Sequence, residues 1–217
     1  MHATEVGDTL LLHHFDDLDQ QKESSTLGMW AFLATEVMFF GGLIFTYFTY
    51  RQAYPAEFAE AARDTELWCG AVNAGILVTS SLTMVLAIVA AAAGARRALL
   101  GWLALTALLG LFFLGIKGYE YIADYQHQVV PAIDFVLKPG HRPPGEIFWV
   151  FYFIATGLHA IHLTIGIALV LYMLARAWRG GLTPAYYAPL EVVGLYWSFV
   201  DTVWIFLFPA LYLVDRT

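Results

Sequence analysis

Hydrophobic residues along the chain fall into five long segments separated by polar stretches. The segments cover about residues 27–50, 67–93, 99–120, 147–175 and 190–214. A helix needs about 20 mostly apolar residues to cross the hydrocarbon layer of a membrane, and each segment reaches that length. The segments are too long for strands and do not alternate as the strands of a membrane barrel do. The pattern predicts an all-α membrane protein, a bundle of five transmembrane helices.

Two polar regions stand out beside these spans. Residues 1–26 carry six acidic side chains and one lysine, and they lack the basic start and apolar core of a signal peptide. We interpret them as an acidic, solvated arm that precedes a single transmembrane domain over residues 27–217. The connection over residues 121–146 is rich in proline, which predicts an extended, ordered surface loop.

Composition agrees with the membrane class. Apolar residues make up 59% of the 217 residues and charged residues only 13%, with a mean hydropathy of +0.63. A soluble domain carries about a quarter charged residues. Eleven basic against eighteen acidic residues leave no cationic surface for nucleic acid. The one cysteine, Cys69, excludes an intramolecular disulfide and a Cys-rich metal site.

Basic residues in the short loops predict an orientation. An odd number of spans places the two termini on opposite sides of the membrane. Counted over all loops, the basic residues are nearly balanced, five on the side of the amino terminus against six on the other. Those in short loops carry more weight, and they lie on the amino-terminal side: Arg96, Arg97, Arg176 and Arg179. We therefore predict a cytoplasmic amino terminus and a periplasmic carboxyl terminus.

Four ionisable residues lie deep within the predicted spans. Glu36 is about 13 Å into the first span at 1.5 Å per residue, and Asp201 is similarly deep in the fifth. His159 and His162 are three apart in the fourth span and therefore share nearly one helix face. A charge near the middle of a bilayer costs several kcal/mol, so such groups usually face other helices and have a role.

These four groups admit three interpretations. Small residues around the histidines, Gly157, Ala160 and Gly166, allow close helix approach and favour hydrogen bonding between helices. A buried carboxyl such as that of Glu36 can also exchange protons in a relay. A metal site would need more ligands, because haem and copper centres require several imidazoles. We predict no metal site and no catalytic residue in this chain.

Two further sets of polar residues have local interpretations. Lys117 and Glu120, three apart at the end of the third span, are expected to form an ion pair at the membrane interface. The second span holds a run of amide and hydroxyl side chains that we expect to form hydrogen bonds between helices: Asn73, Thr79, Ser80, Ser81 and Thr83.

Five segments resemble, in order, the cytochrome c oxidase subunit III family. They are GMWAFLATEVMFFG at 28–41, with Glu before a Val-Met-Phe-Phe run, NAGILVTSSLT at 73–83, GYEY at 118–121, ATGLHAIH at 155–162 and YWSFVDTVWIFLF at 196–208. The matches extend over about residues 27–213, so the resemblance covers nearly the whole chain.

The chain departs from the family pattern in three places. Full-length members have seven helices, and this chain lacks the first two, which help to form a lipid-holding cleft. Ser198 stands where the last-helix motif commonly has His, and Lys117 lies where Gln often precedes the Glu-Tyr pair. The roles of those two family side chains are therefore not carried over.

The resemblance implies a subunit without a redox centre of its own, in a respiratory haem-copper terminal oxidase of the bacterial inner membrane. It implies direct packing against the catalytic subunit I, which holds the haem and copper, with subunit II and small subunits as further partners. The subunit would support proton uptake and protect the oxidase during turnover, partly through bound phospholipid.

Two hypotheses about single residues accompany this resemblance. Glu36 is expected to face His159 or His162 across a helix contact and to keep that contact in register. A second hypothesis gives Trp30, Arg176 and Arg179 a part in holding anionic lipid.

Other functions remain open from the residues. The segment LFPALYL at 207–213 is somewhat like an accessory protein of nitric oxide reductases, whereas TEVMFF at 35–40 favours the oxidases. A quinol oxidase is the other alternative within the family. A self-contained transporter would be expected to show internal repeats, and a lone membrane enzyme a nucleophile–base or metal constellation. The sequence shows neither.

Overall fold

The computed structural model describes residues 17–131, 145–184 and 186–213. Six helices make up most of this part of the chain, α1 Leu18–Ala53, α2 Pro55–Arg63, α3 Leu67–Ala92, α4 Arg96–Gln126, α5 Gly145–Trp178 and α6 Ala188–Tyr212. All except α2 are long and apolar enough to cross a membrane. The all-helical class and the five predicted spans are therefore confirmed. The proline-rich loop predicted over residues 121–146 is wrong at its two ends, because residues 121–126 belong to α4 and residues 145–146 to α5. Residues 132–144 of that prediction lie outside the described residues.

Helix α1 begins at Leu18, nine residues before the apolar segment that predicts it. Asp17 caps the helix, because its side chain accepts a hydrogen bond from the Gln20 backbone N–H at 2.7 Å. Lys22 lies on this first part of α1 and pairs with Glu191 of α6 at 2.9 Å. The last nine residues of the predicted arm thus belong to α1, since hydropathy marks only the part of a helix inside the hydrocarbon.

Helix α2 is an element that the hydropathy pattern does not predict. Pro55 occupies its first turn, a position where the missing N–H of proline costs nothing. Its apolar side is buried through Phe58, whose ring lies 5.8 Å from Phe148 of α5 and 5.5 Å from Tyr47 of α1. At nine residues it is too short to span a membrane, and it packs across one end of the bundle.

Helix α6 lies at the centre of the bundle. It contacts α1, α3 and α5. Half of the residues in its most apolar stretch are buried, compared with 11% in α1. Trp197 and Trp204 of α6 are fully buried. Helix α1 instead buries a narrow stripe at seven-residue intervals, formed by Leu33, Phe40 and Tyr47, and the Tyr47 hydroxyl donates a hydrogen bond to the Ala210 carbonyl.

The turn between α3 and α4 brings two interhelical connections together. Gly94 has a φ of +69°, where a side chain would be strained, and a Cβ there would lie 3.1 Å from Pro184 in the α5–α6 connection. Two residues later, Arg96 donates hydrogen bonds to the carbonyls of Ala177, at 3.3 Å, and Trp178. These carbonyls belong to the last turn of α5, beyond which the helix supplies no further N–H donors, and the Ala177 carbonyl also accepts from the Gly180 N–H at 3.1 Å.

Candidate functional site: polar contacts between the helices

Glu36 of α1 meets His162 of α5. Its Oε2 lies 3.1 Å from His162 Nε2, and the two side chains are only 17% and 16% exposed. His162 Nδ1 lies 2.8 Å from the Leu158 carbonyl, so this nitrogen carries the proton. Nε2 therefore either accepts a hydrogen bond from a protonated Glu36 carboxyl or, when the imidazole is protonated, donates one to the Glu36 carboxylate. In both cases one proton lies between Nε2 and Glu36 Oε2 and links α1 to α5.

The second histidine of the pair, His159, occupies a different environment. It is 1% exposed, and its ring lies 5.4 Å from Phe113 of α4 and 5.1 Å from Trp204 of α6. Neither ring nitrogen has a hydrogen-bond partner within the described part of the chain. Of the two histidines considered for contact with Glu36, the observed hydrogen bond is that of His162.

Asp201 joins α6 to α3. Its Oδ2 accepts hydrogen bonds from Ser81 Oγ at 2.6 Å and Ser80 Oγ at 3.2 Å. Trp197 Nε1 donates to the same Ser80 hydroxyl at 3.1 Å. This Asp201 cluster is a contact between helices, as the hydroxyl run of the second span predicts.

The remaining polar residues of α3 behave in three ways. The hydroxyls of Thr83 and Thr106 of α4 lie 2.7 Å apart, so this pair also links two helices. Thr79 is exposed and donates to the carbonyl of Gly75 in its own helix, so the prediction of a contact between helices is wrong there. The buried Asn73 amide has no hydrogen-bond partner among the residues that the structure describes.

Lys117 and Glu120 form the predicted ion pair, with Nζ and Oε2 2.9 Å apart. The two side chains are only 2% and 1% exposed, so the pair is enclosed between helices and does not lie on the outer surface of the bundle. Tyr152 of α5 and Tyr212 of α6 complete the group through hydrogen bonds to both charges. The four residues are named here the Lys117 cluster. The two tyrosines are not among the residues predicted from the sequence, although a tyrosine inside an apolar span usually finds a partner for its hydroxyl.

The three residues assigned to lipid contact lie in two places. Trp30 is 57% exposed and lines an open recess of about 690 Å³ along the first turns of α1. Arg179 is exposed directly after the last residue of α5, and Arg176 donates a hydrogen bond to the Gly181 carbonyl at 3.4 Å. Neither arginine lines the Trp30 recess, so the three side chains do not form one site there.

Polar side chains of the five spans are thus engaged mainly with one another, across helix contacts. Among the described residues, no group of three or more His, Cys, Asp or Glu side chains is arranged to hold a metal ion. The fold and these contacts define an integral membrane protein whose buried polar groups join its helices.

Comparison with known proteins identifies the family. The profile of the family described as cytochrome c oxidase subunit III matches residues 14–215. A probable cytochrome c oxidase subunit 3 of Mycobacterium leprae is 32% identical over 189 residues, which are 87% of this chain and 87% of the relative. The cytochrome c oxidase subunit 3 of Corynebacterium diphtheriae is 33% identical over 192 residues, 88% of each chain. The cytochrome bo(3) ubiquinol oxidase subunit 3 of Pseudomonas aeruginosa is 29% identical over 213 residues, 98% of this chain and 93% of the relative.

The chain belongs to the cytochrome c oxidase subunit III family, so the resemblance drawn from its five motifs is confirmed. It is a subunit of a haem-copper oxidase complex and therefore associates with other oxidase subunits.

Proposed function

We propose that this chain is the non-redox subunit III of a bacterial respiratory haem-copper oxidase, which couples aerobic electron transport to proton translocation. It supports the catalytic subunit I, its proton uptake and its stability, with subunit II and small subunits as further neighbours. Haem and copper belong to the catalytic subunit. The chain lies in the cytoplasmic membrane, with its amino terminus in the cytoplasm and its carboxyl terminus in the periplasm.

One observation carries this proposal. Three ionisable groups within the described spans make hydrogen bonds to neighbouring helices: Glu36 to His162, Asp201 to the hydroxyls of Ser80 and Ser81, and Lys117 to those of Tyr152 and Tyr212. His159, whose side chain is almost completely buried, is enclosed by the rings of Phe113 and Trp204. Such an arrangement fixes the positions of helices, whereas a redox metal centre requires several converging ligands.

Purification of the oxidase with and without this chain tests the function. The oxidase that lacks the chain is expected to keep its haem spectrum and its initial oxygen reduction, and to lose activity faster during turnover. The isolated chain is expected to carry no stoichiometric iron or copper in elemental analysis. Loss of the haem spectrum with the chain, or metal bound by the chain itself, would refute the non-redox role.

A quinol oxidase is the second candidate, because the ubiquinol oxidase relative covers 98% of this chain. The same purified complex separates the two candidates. Oxidation of reduced cytochrome c supports the first, whereas oxidation of a ubiquinol or menaquinol analogue with no cytochrome c activity supports the second. The role proposed for this chain beside the catalytic subunit is the same in both.

Glu36, His162 and Asp201 serve in this proposal as interhelical polar groups, with Glu36 and His162 linked through a shared proton, whereas His159 packs against the rings of Phe113 and Trp204. A double-mutant cycle of Glu36→Leu and His162→Leu is expected to give a coupling energy of about 1 kcal/mol, the range measured for such bonds inside membrane proteins. The measurement is the free energy of unfolding of the purified chain in detergent.

Thr164 provides the matched control for this cycle. It lies two residues from His162 on α5, is exposed, and donates only to the Ala160 carbonyl of its own helix. The cycle of Glu36→Leu with Thr164→Ala is therefore expected to show no coupling. Equal coupling energies in the two cycles would mean that the Glu36–His162 contact does not hold α1 against α5.

Bound phospholipid is the remaining part of the proposal. The positive charges of Arg176 and Arg179 at one end of α5 suit an anionic headgroup, and Trp30 suits the interfacial region. Mass spectrometry of the complex is expected to show loss of anionic lipid in an Arg176→Ala/Arg179→Ala variant but not in Arg51→Ala, at the opposite end of α1. Unchanged lipid in both variants would remove the arginines from the proposal.

A further inference from the structure

The Lys117 cluster places two opposite charges inside a membrane span. Lys117 lies in the last turn of the apolar segment over residues 99–120, and α4 continues beyond it to Gln126. Its side chain and that of Glu120 are almost completely buried. Neither charge can reach water in this arrangement, so each depends on the partners that the bundle provides.

Two tyrosines connect the charges through a closed set of hydrogen bonds. Lys117 Nζ donates to Glu120 Oε2 at 2.9 Å, to the Tyr152 hydroxyl at 3.0 Å and to the Tyr212 hydroxyl at 2.5 Å. The two hydroxyls donate in turn to Glu120 Oε1, at 2.8 Å and 2.7 Å. All three N–H groups of the ammonium are therefore used, and each hydroxyl bridges the two charges.

Aromatic rings surround the ammonium group on several sides. Nζ lies 4.5 Å from the ring centroid of Tyr152, 5.3 Å from those of Tyr121 and Tyr212, and 5.5 Å from that of Trp204. A cation at such distances is attracted by the ring faces, more strongly where water is excluded. These rings stabilise the charged form of Lys117. The ring faces give no such stabilisation to the Glu120 carboxylate, which depends on Lys117 for its counter-charge.

We propose that the Lys117 cluster acts as one unit, in which Lys117 keeps Glu120 ionised and the pair fastens α4 to α5 and α6 through Tyr152 and Tyr212. Glu120 is then a fixed counter-charge and not a proton carrier. This inference rests on the geometry of the chain and is independent of the proposed function. It implies that losing one charge is more harmful than losing both, because the hydrogen bonds and rings that remain compensate a buried charge only in part once its counter-charge is gone.

A double-mutant cycle tests the unit. Lys117→Gln and Glu120→Gln are each expected to lower the unfolding midpoint of the purified full chain by about 5–10 °C. The combined Lys117→Gln/Glu120→Gln variant is expected to recover at least half of that loss, since two neutral amides can bond to each other and to the tyrosines. Losses that simply add in the combined variant would overturn the proposal, as would a Lys117→Gln variant with the midpoint of the parent.

The ion pair of Lys22 and Glu191 is the matched control. Its atoms are also 2.9 Å apart, but the side chains are 46% and 31% exposed. Lys22→Gln and Glu191→Gln are expected to change the midpoint by less than about 2 °C, because exposed pairs contribute little. A similar loss at both pairs would show that burial and the tyrosines add nothing to the Lys117 cluster.

Infrared spectroscopy tests the ionised state of Glu120 directly. Asp124 and Cys69 also interact electrostatically with Lys117, and ¹³C-labelled glutamate separates the carboxyl signal of Glu120 from that of Asp124. The difference between parent and Lys117→Gln/Glu120→Gln is expected to contain a carboxylate band and no protonated-carboxyl band. A protonated carboxyl band in that difference would overturn the proposal, and the comparison requires neither single variant to fold.

Discussion

Replacing Trp204 with alanine is expected to lower the free energy of unfolding by about 3–5 kcal/mol. Trp204 is fully buried in α6, and its ring meets Phe113 edge-on at 4.8 Å and His159 at 5.1 Å. Removal of the indole leaves a cavity at the meeting point of α4, α5 and α6. Helix association inside a membrane depends on van der Waals packing, so such a cavity removes the main attraction at that point.

The control for this prediction lies two residues away on the same helix. Phe206 is 60% exposed, so Phe206→Ala removes an aromatic side chain that meets lipid or a partner subunit. We expect its effect on the isolated chain to be within about 0.5 kcal/mol. Denaturant titration of the three purified chains, followed by tryptophan fluorescence or circular dichroism, provides the measurement. Equal losses for the two variants would contradict the central position of Trp204.

Hydropathy predicts the spans of this chain because the requirement for a long apolar helix is strict in a membrane. It does not predict where the helices end. Helix α1 continues outward to Leu18 through a polar, capped first turn, and α2 is held by the burial of Phe58. Both features depend on contacts with other helices or on local hydrogen bonds, which average hydropathy does not contain.

In the candidate site, too, the sequence predicts which residues need partners but not which partners they have. The sequence predicts that Glu36 has a polar partner, because a charge within a span is costly unless it is paired. Its choice of His162 over His159 depends on how α5 is rotated against α1, α4 and α6, which three-residue spacing leaves undecided. Lys117 and Glu120 are visible as an i, i+3 pair, but their burial follows from Tyr152 and Tyr212, which come from helices distant in sequence.

The polar contacts together suggest how the chain serves as a scaffold. Glu36–His162 joins α1 to α5, Asp201 joins α6 to α3, and the Lys117 cluster joins α4 to α5 and α6. Every membrane-spanning helix therefore carries at least one such contact within the described residues. Within an apolar membrane, each of these polar groups has few possible partners on the neighbouring helices. The contacts therefore fix how far one helix is shifted along another, which the packing of apolar side chains alone does not determine.

Two glycines of α4 are expected to respond in opposite directions to the same substitution. A Cβ at Gly110 would lie 2.9 Å from Ile167 Cγ1 and 2.9 Å from the Trp197 ring. Both neighbours are buried, Ile167 at 5% exposure and Trp197 at 0%, so neither has space to move. At Gly115, on the same helix, a Cβ would meet nothing within 4 Å, and the residue lines an open apolar groove between α3 and α4.

Gly110→Ala is therefore expected to lower the free energy of unfolding by about 1–3 kcal/mol, because overpacking forces α4 away from α5 and α6. Gly115→Ala is expected to raise it by about 0.5–1 kcal/mol, because alanine costs less conformational entropy in a helix than glycine. Gly110→Leu should prevent the close approach altogether and leave little folded chain. Unfolding titrations of the variants decide the matter, since helix propensity alone would make both alanine variants more stable, whereas close helix packing requires the signs to differ.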